Sequence, residues 1–345
     1  MQTCDTLLHA GVLLTQDDDR RVLENAALAI DGGRIVALGY SQDVTAAWQA
    51  REILDLSGML VMPGLVNAHT HAAMTFLRGL ADDMPLMDWL QQKIFPVEQG
   101  LTPDLVRLGS LLGFAEMLRT GTTSCVDMYI FEAAVLEAAD KAGLRCLAGE
   151  GVFNFPSACC PDADAALACT REMAQRWAGH DRLHVAVMPH SVYTTTAAQL
   201  TACRELADEL GLPLHIHLAE TRQETALSLE QHGLRPVAHA DRLGLLRPGT
   251  ILAHVVDVDA DEIALLARRG VIVVHNPSSN MKLASGVAPV PAMLDAGVRL
   301  ALGSDGAASN NRLNMFTEMG RAALLHKAAG DPETMPARTV LDMAT

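Results

Sequence analysis

The sequence predicts an α/β protein: a (β/α)8 barrel of the TIM type with a small N-terminal β portion. From about residue 60, short apolar runs alternate with amphipathic segments that stop at a glycine, which is the pattern of parallel strands joined by helices. Eight such units can be counted, and eight βα units close into a barrel. Most of the apolar runs end in a polar residue, and a barrel carries its active site at these strand ends.

Glycines and polar strand ends mark the individual units. The glycines that end a helix or form a turn are Gly121, Gly143, Gly211, Gly249, Gly270 and Gly297. The polar strand ends that follow them are Asp127, Glu150, His217, His254, His275 and Asp305. Strands at 61–66 and 183–188 complete the set. A doubly wound open sheet is the rival architecture, but no G-x-G-x-x-G motif opens any unit.

Cap residues support the helix boundaries. Thr102-Pro103 predicts a helix start, and Thr196 opens a helix that ends at Gly211. Residues 1–58 differ, because they contain short alternating strands and a hairpin signal at 31–33, Asp-Gly-Gly, between two apolar runs. We therefore assign residues 1–58 to the N-terminal β portion and residues 59–345 to the barrel.

The composition indicates a globular protein. The 345 residues are 50% hydrophobic and 19% charged, and 26 basic side chains stand against 41 acidic ones. The net charge of −15 would repel nucleic acids and anionic membranes, so we expect neither as a partner. No apolar run reaches the ~20 residues of a membrane helix and the start lacks the basic head of a signal peptide, so we expect a cytoplasmic location. Seven cysteines without a C-x-x-C motif indicate ordinary thiols in a reducing compartment and no structural zinc site.

Residues that can bind a metal fall on the strand ends. His69 and His71 form H-x-H after the first barrel strand, where the two-residue period of a strand places both imidazoles on one face. H-x-H alone is also compatible with core histidines. However, His217 ends the fifth strand, and Asp305 ends the eighth, which neighbours the first in a closed barrel. These four side chains can converge on one divalent ion, zinc or iron, and leave a position open for water.

Further strand-end residues are candidates for catalysis. Glu220 follows His217 and is placed to transfer a proton, although a glutamate there can also serve the helix dipole. We assign His254 to orienting or stabilising the water molecule at the metal. His190 can contact the substrate, and we interpret His215 as a barrel-interior histidine one layer deeper. The fourth strand ends in His190 and not in a lysine that could be carboxylated, so we expect a single metal ion.

Five segments are long enough to be specific for a family. They are VMPGLVNAHTHAAMTFLRGLADDMPLMDWL, LHIHLAET, ILAHVV, VVHNPSSNMKLASGVAPV and LALGSDGAASNN. Together they resemble the amidohydrolase superfamily, specifically its 5'-methylthioadenosine/S-adenosylhomocysteine deaminase branch. The resemblance runs over nearly the whole chain.

The resemblance implies a fold and a metal site. The fold is a barrel with a β-sandwich built from both chain termini, so that residues 1–58 are one β-sandwich portion. The site holds one divalent metal ion, zinc or iron, and Glu220 is the proton shuttle. The implied metal ligands are His69, His71, His217 and Asp305.

The resemblance also implies residues that bind the substrate. Glu98 in KIFPVEQ would bind the ribose hydroxyls, and a carboxylate suits a vicinal diol because it accepts both hydroxyl protons. His190 in PHSVYT would contact the nucleoside. Trp89, with Met84 and Met87, lies in the segment expected to cover the pocket, where soft apolar side chains could receive a thioether. These three residues are equally compatible with simple helix packing.

The sequence departs from the family pattern at two places. Some members have an arginine after the third strand that meets the carboxylate of S-adenosylhomocysteine, whereas this chain has Glu150 in GLRCLAGEG. An acidic side chain should repel that carboxylate, so we expect 5'-methylthioadenosine or adenosine as substrate. The chain also stops at MAT, before the expected further helix and returning strands. We therefore expect a fragment that lacks the C-terminal half of the sandwich.

The predicted reaction is metal-dependent hydrolytic deamination of an adenosine derivative to the inosine analogue and ammonia. Activated water would attack C6 of the purine, Glu220 would carry a proton to N1, and Asp305 and His254 would stabilise the developing alkoxide. One alternative is a related amidohydrolase that removes an amine or chloride from a free nucleobase or an s-triazine. Another is a non-catalytic metal-binding barrel. The sequence leaves open whether the chain forms a homo-oligomer.

Overall fold

The computed structural model of the chain describes residues 1–328 and 330–345. These residues form two compact units, one of Met1–Gly64 with Thr345 and one of Leu65–Ala344. Among the described residues, no helix combines the length and the apolar character that crossing a membrane requires. All of the site residues predicted above lie in the second unit.

The N-terminal unit is a four-stranded sheet with the strand order β3-β2-β1-β4. Its elements are β1 Gln2–Leu14, β2 Val22–Asp31, β3 Arg34–Tyr40, α1 Ser41–Ala47 and β4 Trp48–Val61. β1 pairs antiparallel with β2 and parallel with β4. The predicted hairpin is confirmed, because Gly32 and Gly33 join β2 to β3 with φ angles of 55° and 74° that glycine adopts without strain.

β1 and β4 are longer than the short strands that the sequence predicts, with 13 and 14 residues. Gly11 lies inside β1 at an irregularity of the pairing with β4. A Cβ at this position would lie 2.3 Å from the carbonyl oxygen of Ser57, so glycine permits the close approach of the two strands. A sandwich needs a second sheet facing the first, and that part of the assignment stays a prediction.

The second unit contains two parallel sheets, with the orders β5-β6-β7-β8 and β10-β11-β12-β13, and β9 pairs with β7. The strands are β5 Leu65–Thr70, β6 Thr122–Tyr129, β7 Arg145–Val152, β8 Leu183–Val185, β9 Met188–Pro189, β10 His215–Leu218, β11 Ile251–His254, β12 Ile272–His275 and β13 Arg299–Leu302. A bridge between Ser191 and His217 joins the sheets on one side. On the other side, the Asp305 amide donates to the His69 carbonyl oxygen at 3.0 Å. The arrangement is consistent with the predicted barrel.

Helices follow most of these strands, as the βα pattern predicts. They are α2 Leu86–Trp89, α3 Phe95–Glu98, α4 Pro103–Arg119, α5 Glu132–Ala142, α6 Ala163–Arg176, α7 Ala197–Leu210, α8 Arg222–His232, α9 Pro236–Arg242, α10 Ala260–Arg269, α11 Pro277–Lys282, α12 Val290–Asp295, α13 Ala307–Asn310, α14 Met315–Lys327 and α15 Ala337–Asp342. A 3-10 helix, Ala72–Leu77, and a π-helical turn, Leu90–Ile94, lie between β5 and α4. Thr102 and Thr196 accept hydrogen bonds from first-turn amides, which confirms both predicted helix starts.

Some strand ends differ from the prediction. β6 continues past Asp127 to Tyr129, where it still pairs with β7, and β7 continues past Glu150 because Gly151 and Val152 pair with β9. β13 ends before Asp305, which adopts a left-handed conformation with φ of 61° that strand pairing does not allow. The predicted fourth strand is split into β8 and β9, and β9 ends at Pro189, which has no amide hydrogen to donate.

The cap of α7 allows a test of this fold. The Thr196 hydroxyl accepts from the Gln199 amide at 3.2 Å, and the Gln199 side chain accepts from the Thr196 amide at 2.8 Å. We expect Thr196→Ala to lower the free energy of unfolding by about 1 kcal/mol, measured by urea denaturation. Thr201→Ala in the same helix is the control, because its hydroxyl only donates to the Ala197 carbonyl oxygen. Equal losses in both variants would contradict the assigned cap.

Candidate active site

Five predicted site residues from four segments of the second unit meet at one point. His69 lies in β5 with His71 just after it, His217 lies in β10, His254 ends β11, and Asp305 follows β13. The ring centroid of His69 lies 4.9 Å from that of His71 and 4.7 Å from that of His217. His254 lies 5.5 Å from His69 and from His217. The strand ends therefore bring the predicted metal ligands together.

Two of these histidines are anchored through Nδ1. His71 Nδ1 contacts the carbonyl oxygen of Met128, and His217 Nδ1 lies 2.8 Å from the carbonyl oxygen of His190. A carbonyl oxygen only accepts, so Nδ1 carries the proton in both rings and Nε2 keeps its lone pair. Histidines that bind metals usually make this second hydrogen bond, which fixes the orientation of the ring.

His69 is anchored by another histidine. Its Nδ1 lies 2.9 Å from Nε2 of His215, which is fully buried in β10 below His217. Burial lowers the pKa of His69 to about 4, so the ring is neutral at pH 7. Its Nε2 is buried and finds no hydrogen-bond partner within residues 1–328 and 330–345. A neutral imidazole nitrogen in this state is a suitable metal ligand.

Asp305 is a buried carboxylate held by two hydroxyl groups. Ser279 and Ser309 donate to its Oδ2 at 2.6 and 3.0 Å, and its Oδ1 lies 3.0 Å from His71 Nε2 and 3.5 Å from His69 Nε2. Burial opposes ionisation, but the neighbouring imidazoles of His69 and His71 outweigh it and hold the pKa of Asp305 well below its usual range. Burial also lowers the pKa of His71, and Asp305 outweighs that effect and raises it to about 9. Positive charge is thus favoured here, and a metal ion would displace the His71 proton.

These residues fit a divalent metal ion. The candidate ligand atoms of His69, His71 and Asp305 lie within 4.8 Å of one another, and so do those of His69, His217 and His254. Imidazole nitrogens and a carboxylate oxygen are donors that zinc and iron accept. The protein therefore contains a His/Asp group that can bind a metal.

Glu220 lies buried beside the His/Asp group. Its Oε1 accepts from the Ser285 hydroxyl at 2.9 Å, and its Oε2 lies 3.8 Å from His254 Nε2. Glu224 accepts from the amides of Ala219 and Glu220 at 2.8 and 2.7 Å, which fixes the turn that presents Glu220. Burial raises the pKa of Glu220 although His254 opposes this. A raised pKa favours the protonated form of this carboxylate.

His254 is oriented from the other side of its ring. Its Nδ1 lies 2.8 Å from Asn280 Oδ1, so Nδ1 donates this hydrogen bond and Nε2 faces Glu220. The φ angle of His254 is 75°, in the left-handed region that residues other than glycine rarely adopt. Asp305 shares this feature, and such strained residues are common at functional sites.

An open cavity of about 620 Å³, a volume that includes space open to solvent, lies against the His/Asp group. Its apolar lining consists of Met74, Leu86, Trp89, Leu90, Ile94, Phe95, Met128, Ile130, Phe153 and Leu283. Its polar lining consists of His71, Glu98, Tyr129, His190, Tyr193, His217, Glu220, His254 and Asp305. No lysine or arginine belongs to the lining that the described residues form.

Glu98 and Tyr129 lie close together in the cavity wall. Burial raises the pKa of Glu98 to about 7. Burial and the charge of Glu98 raise the pKa of Tyr129 well above its usual value. The Tyr129 hydroxyl is buried and makes no hydrogen bond of normal geometry to any residue that the structure describes. This pair therefore retains hydrogen-bonding capacity for a ligand.

His190 and Trp89 complete the predicted binding residues, and both line the cavity. His190 Nδ1 lies 2.8 Å from the Thr194 hydroxyl, and its ring centroid lies 4.9 Å from that of Phe153. The indole N–H of Trp89 is buried and is not hydrogen-bonded to the described part of the chain. The structure thus places every predicted site residue in the His/Asp group or in the wall of one cavity.

The expectation about Glu150 is wrong. Its carboxylate is buried away from the cavity and accepts hydrogen bonds from the amides of Phe131 and Glu132 at 3.1 and 3.0 Å, at the start of α5. These amides need an acceptor at a helix start, and Glu150 supplies it. Glu150 therefore cannot repel a substrate carboxylate, and it gives no reason to exclude S-adenosylhomocysteine.

Met84 and Met87 do not line the cavity as expected. Helix α2 begins at Leu86, and the helical period places Trp89 on the same face, so that these two side chains turn to the cavity. Met84 packs instead against the hydrophobic core.

Several functional groups were not found from the sequence. Tyr129 lies two residues after Asp127 on β6 and shares its face, so the strand period could have identified it. Glu224 lies one helical turn after Glu220, a spacing that could have suggested a capping carboxylate. Ser279 and Asn280 contact Asp305 and His254 across the fold, and the spacing along the chain contains no signal for such contacts.

Comparison with known proteins identifies the family. The Amidohydrolase family matches residues 60–345. A relative from Desulfovibrio desulfuricans named 5-methylthioadenosine/S-adenosylhomocysteine deaminase is 64% identical, and the match covers 100% of this chain and 79% of that protein. A relative of the same name from Lawsonia intracellularis is 58% identical, with 100% and 78% covered. The crystal structure of an adenosine deaminase from Xanthomonas campestris with bound zinc matches with a TM-score of 0.97 at 43% identity, covering 100% of this chain and 79% of that one. The predicted resemblance is confirmed, and the chain belongs to the amidohydrolase family.

Proposed function

We propose that this protein catalyses the hydrolytic deamination of an adenosine derivative to the inosine analogue and ammonia. The basis is the position of Glu220 beside a His/Asp metal-binding group in the wall of an open cavity. Deamination at C6 needs an activated water and a group that protonates N1 of the purine, and this wall offers residues for both tasks. The names of the deaminase relatives and of the adenosine deaminase neighbour support the substrate class.

We propose that His69, His71, His217 and Asp305 hold one divalent ion, and the zinc in the neighbouring structure favours zinc over iron. When bound, such an ion lowers the pKa of a coordinated water from 15.7 to roughly 7. The protein contributes rings whose Nδ1 atoms are already hydrogen-bonded, so that the Nε2 atoms need not reorient.

Glu220 is the proton carrier in this proposal. It takes a proton from the attacking water and delivers it to N1, which makes C6 more electrophilic. Ser285 holds Oε1, and the amides bound by Glu224 fix the backbone, so the carboxylate is positioned before the substrate arrives. Burial raises the pKa of Glu220, which favours its protonated form.

Asp305 and His254 act on the water and the leaving group. Asp305 stays ionised because its pKa is well below the usual range, so it can accept a hydrogen bond from the water and orient it toward C6. His254 has its proton on Nδ1, toward Asn280, and its Nε2 can take up a proton and give it to the departing ammonia.

The remaining cavity residues select the nucleoside. Glu98, with the Tyr129 hydroxyl beside it, binds the ribose diol. The Trp89 N–H and His190 contact the rest of the nucleoside. The cavity lining formed by the described residues has no cationic side chain for an amino-acid carboxylate, and much of it is apolar. We therefore expect 5'-methylthioadenosine to be the best substrate, ahead of adenosine and S-adenosylhomocysteine.

Other features stay predictions from the sequence. They are the division at residues 58 and 59, the sandwich partner of the N-terminal sheet, the cytoplasmic location and the absence of nucleic-acid and membrane partners. Whether the chain forms a homo-oligomer stays open.

Ammonia release from the three nucleosides in parallel tests the function. We expect the zinc-supplemented protein to turn over 5'-methylthioadenosine with the highest kcat/KM and to lose this activity in a strong chelator. Zinc added back should restore it. If the folded, zinc-loaded protein turned over none of the three, the free-base or triazine alternative or the non-catalytic barrel would be favoured.

Glu220→Gln tests the proton carrier. The variant keeps the shape of the side chain but cannot move a proton, so we expect kcat to fall by roughly 10²- to 10⁴-fold. Zinc content, measured by atomic absorption, should stay the same. Glu230→Gln on the exposed face of α8 is the matched control and should keep full activity. Wild-type turnover by Glu220→Gln would remove Glu220 from the mechanism.

Glu98→Gln separates nucleosides from free rings as substrates. We expect KM for adenosine to rise by roughly tenfold or more, because a charged hydrogen-bond acceptor for the diol is lost. KM for 2',3'-dideoxyadenosine, which has no diol, should change little and serves as the control. An unchanged KM for adenosine would favour the free-ring alternative.

A further inference from the structure

Three cysteine side chains meet outside the active site. Cys159 and Cys160 lie in the loop between β7 and α6, and Cys169 lies in α6. Their three Sγ atoms lie within 4.8 Å of one another, and Cys160 Sγ is 3.7 Å from Cys169 Sγ. All three are free thiols.

The measured spacing agrees with a metal–thiolate site. Two sulfur atoms bound tetrahedrally to one zinc ion at 2.3 Å lie about 3.8 Å apart. Two sulfur atoms in a disulfide lie only about 2.05 Å apart. The Cys160–Cys169 distance of 3.7 Å therefore matches an edge of a zinc tetrahedron without movement of either side chain.

The surroundings of the thiols favour a cation. Cys159 and Cys169 line an open cavity of about 570 Å³ together with Glu150 and Glu172. The Glu150 carboxyl group lies beside the Cys159 thiol, so an oxygen donor is available next to the three sulfur atoms. Arg176 also lines this cavity, but its guanidinium pairs with Glu137 at 2.7 Å.

The loop that carries Cys159 and Cys160 is fixed before any ion binds. The Ser157 amide donates to the Cys160 carbonyl oxygen at 2.9 Å, and the Cys160 amide donates to the Ser157 hydroxyl at 2.9 Å. Asp162 then caps α6 by accepting from the Ala165 amide at 2.9 Å. Little backbone entropy remains to be lost on binding.

We propose that Cys159, Cys160 and Cys169 form a second metal site, specific for thiophilic divalent cations such as zinc, with the Glu150 carboxylate or a water as the fourth ligand. Three thiolates select soft and borderline ions over magnesium and calcium. The ion would fasten the loop after β7 to α6. The same loop carries Phe153, which lines the active-site cavity, so the second site would stabilise that wall.

Cobalt titration tests the proposal independently of the deaminase activity. The probe is Co²⁺ added without oxygen to the reduced, metal-free 345-residue chain. We expect two equivalents to bind and a near-ultraviolet thiolate-to-cobalt charge-transfer band to appear. The His/Asp group has no sulfur ligand and cannot produce this band.

Serine variants locate the band. Cys169→Ser and Cys159→Ser should each abolish it and leave about one equivalent bound, at the His/Asp group. Cys4→Ser, which alters a buried thiol of the N-terminal unit, is the control and should keep the band and both equivalents. Circular dichroism and deaminase turnover verify that each variant folds. If one variant does not fold, the other variant and the wild-type titration still decide.

Three results would overturn the proposal. One is a single equivalent of cobalt without the charge-transfer band in the folded wild-type protein. The second is a band that persists in Cys169→Ser. The third is a Cys160–Cys169 disulfide found by mass spectrometry in protein that binds no cobalt after reduction, which would assign the thiols to redox chemistry. A failure here leaves the proposed deaminase function untouched, because no step of that function uses these cysteines.

Discussion

The negative charge of Asp305, buried among histidines, is the interaction around which the site is organised. A carboxylate removed from water is costly unless it is paired and hydrogen-bonded, and Asp305 has two serine hydroxyls and two imidazoles for this purpose. The histidines face the opposite cost, since burial disfavours their protonated forms. A divalent cation satisfies both sides at once, because it neutralises the carboxylate and uses the lone pairs of neutral rings. The hydrogen bonds at Nδ1 then determine where such an ion can be held.

Glu220 shows how backbone contacts prepare a side chain for proton transfer. Its own carboxylate has one hydroxyl partner, Ser285, so it remains available to a substrate. The backbone amides of Ala219 and Glu220 donate to a second carboxylate, Glu224. Two acidic groups therefore lie in one turn of the chain. Burial raises the pKa of both carboxylates, and the charge of Glu220 adds to this effect at Glu224. Glu224, which does not line the cavity, therefore supports the proposed proton carrier through the backbone.

The sequence predicts which strand-end residues meet at the site better than it predicts the orientation of the side chains around them. The candidate metal ligands follow from the strand period and from the rule that parallel strands present their ends at one face, and both are local or topological. Glu150 also lies near a strand end, but its orientation depends on the amides of Phe131 and Glu132 at the start of α5. These amides have no partner within the helix and donate to the Glu150 carboxylate. Met87 fails for a related reason, because the start of a short helix decides which residues face the cavity. Where a side chain can contact either of two neighbours in the fold, the sequence pattern does not determine which contact forms.

The thiol cluster illustrates the same limit and links it to the site. The absence of C-x-x-C predicts no zinc site, because that motif supplies two zinc ligands from one turn of the chain. Here two thiols come from the loop before α6, and the third, Cys169, comes from α6 itself. The turn of Glu150 toward α5 removes its charge from the substrate cavity and brings it beside Cys159. The orientation of Glu150 therefore has two consequences. Its carboxylate does not line the cavity beside the His/Asp group, and it lies next to the thiols. The loop between these two places carries Phe153 on the substrate side and the cysteines on the other, so any cation held by the cysteines acts on the shape of the cavity through the backbone.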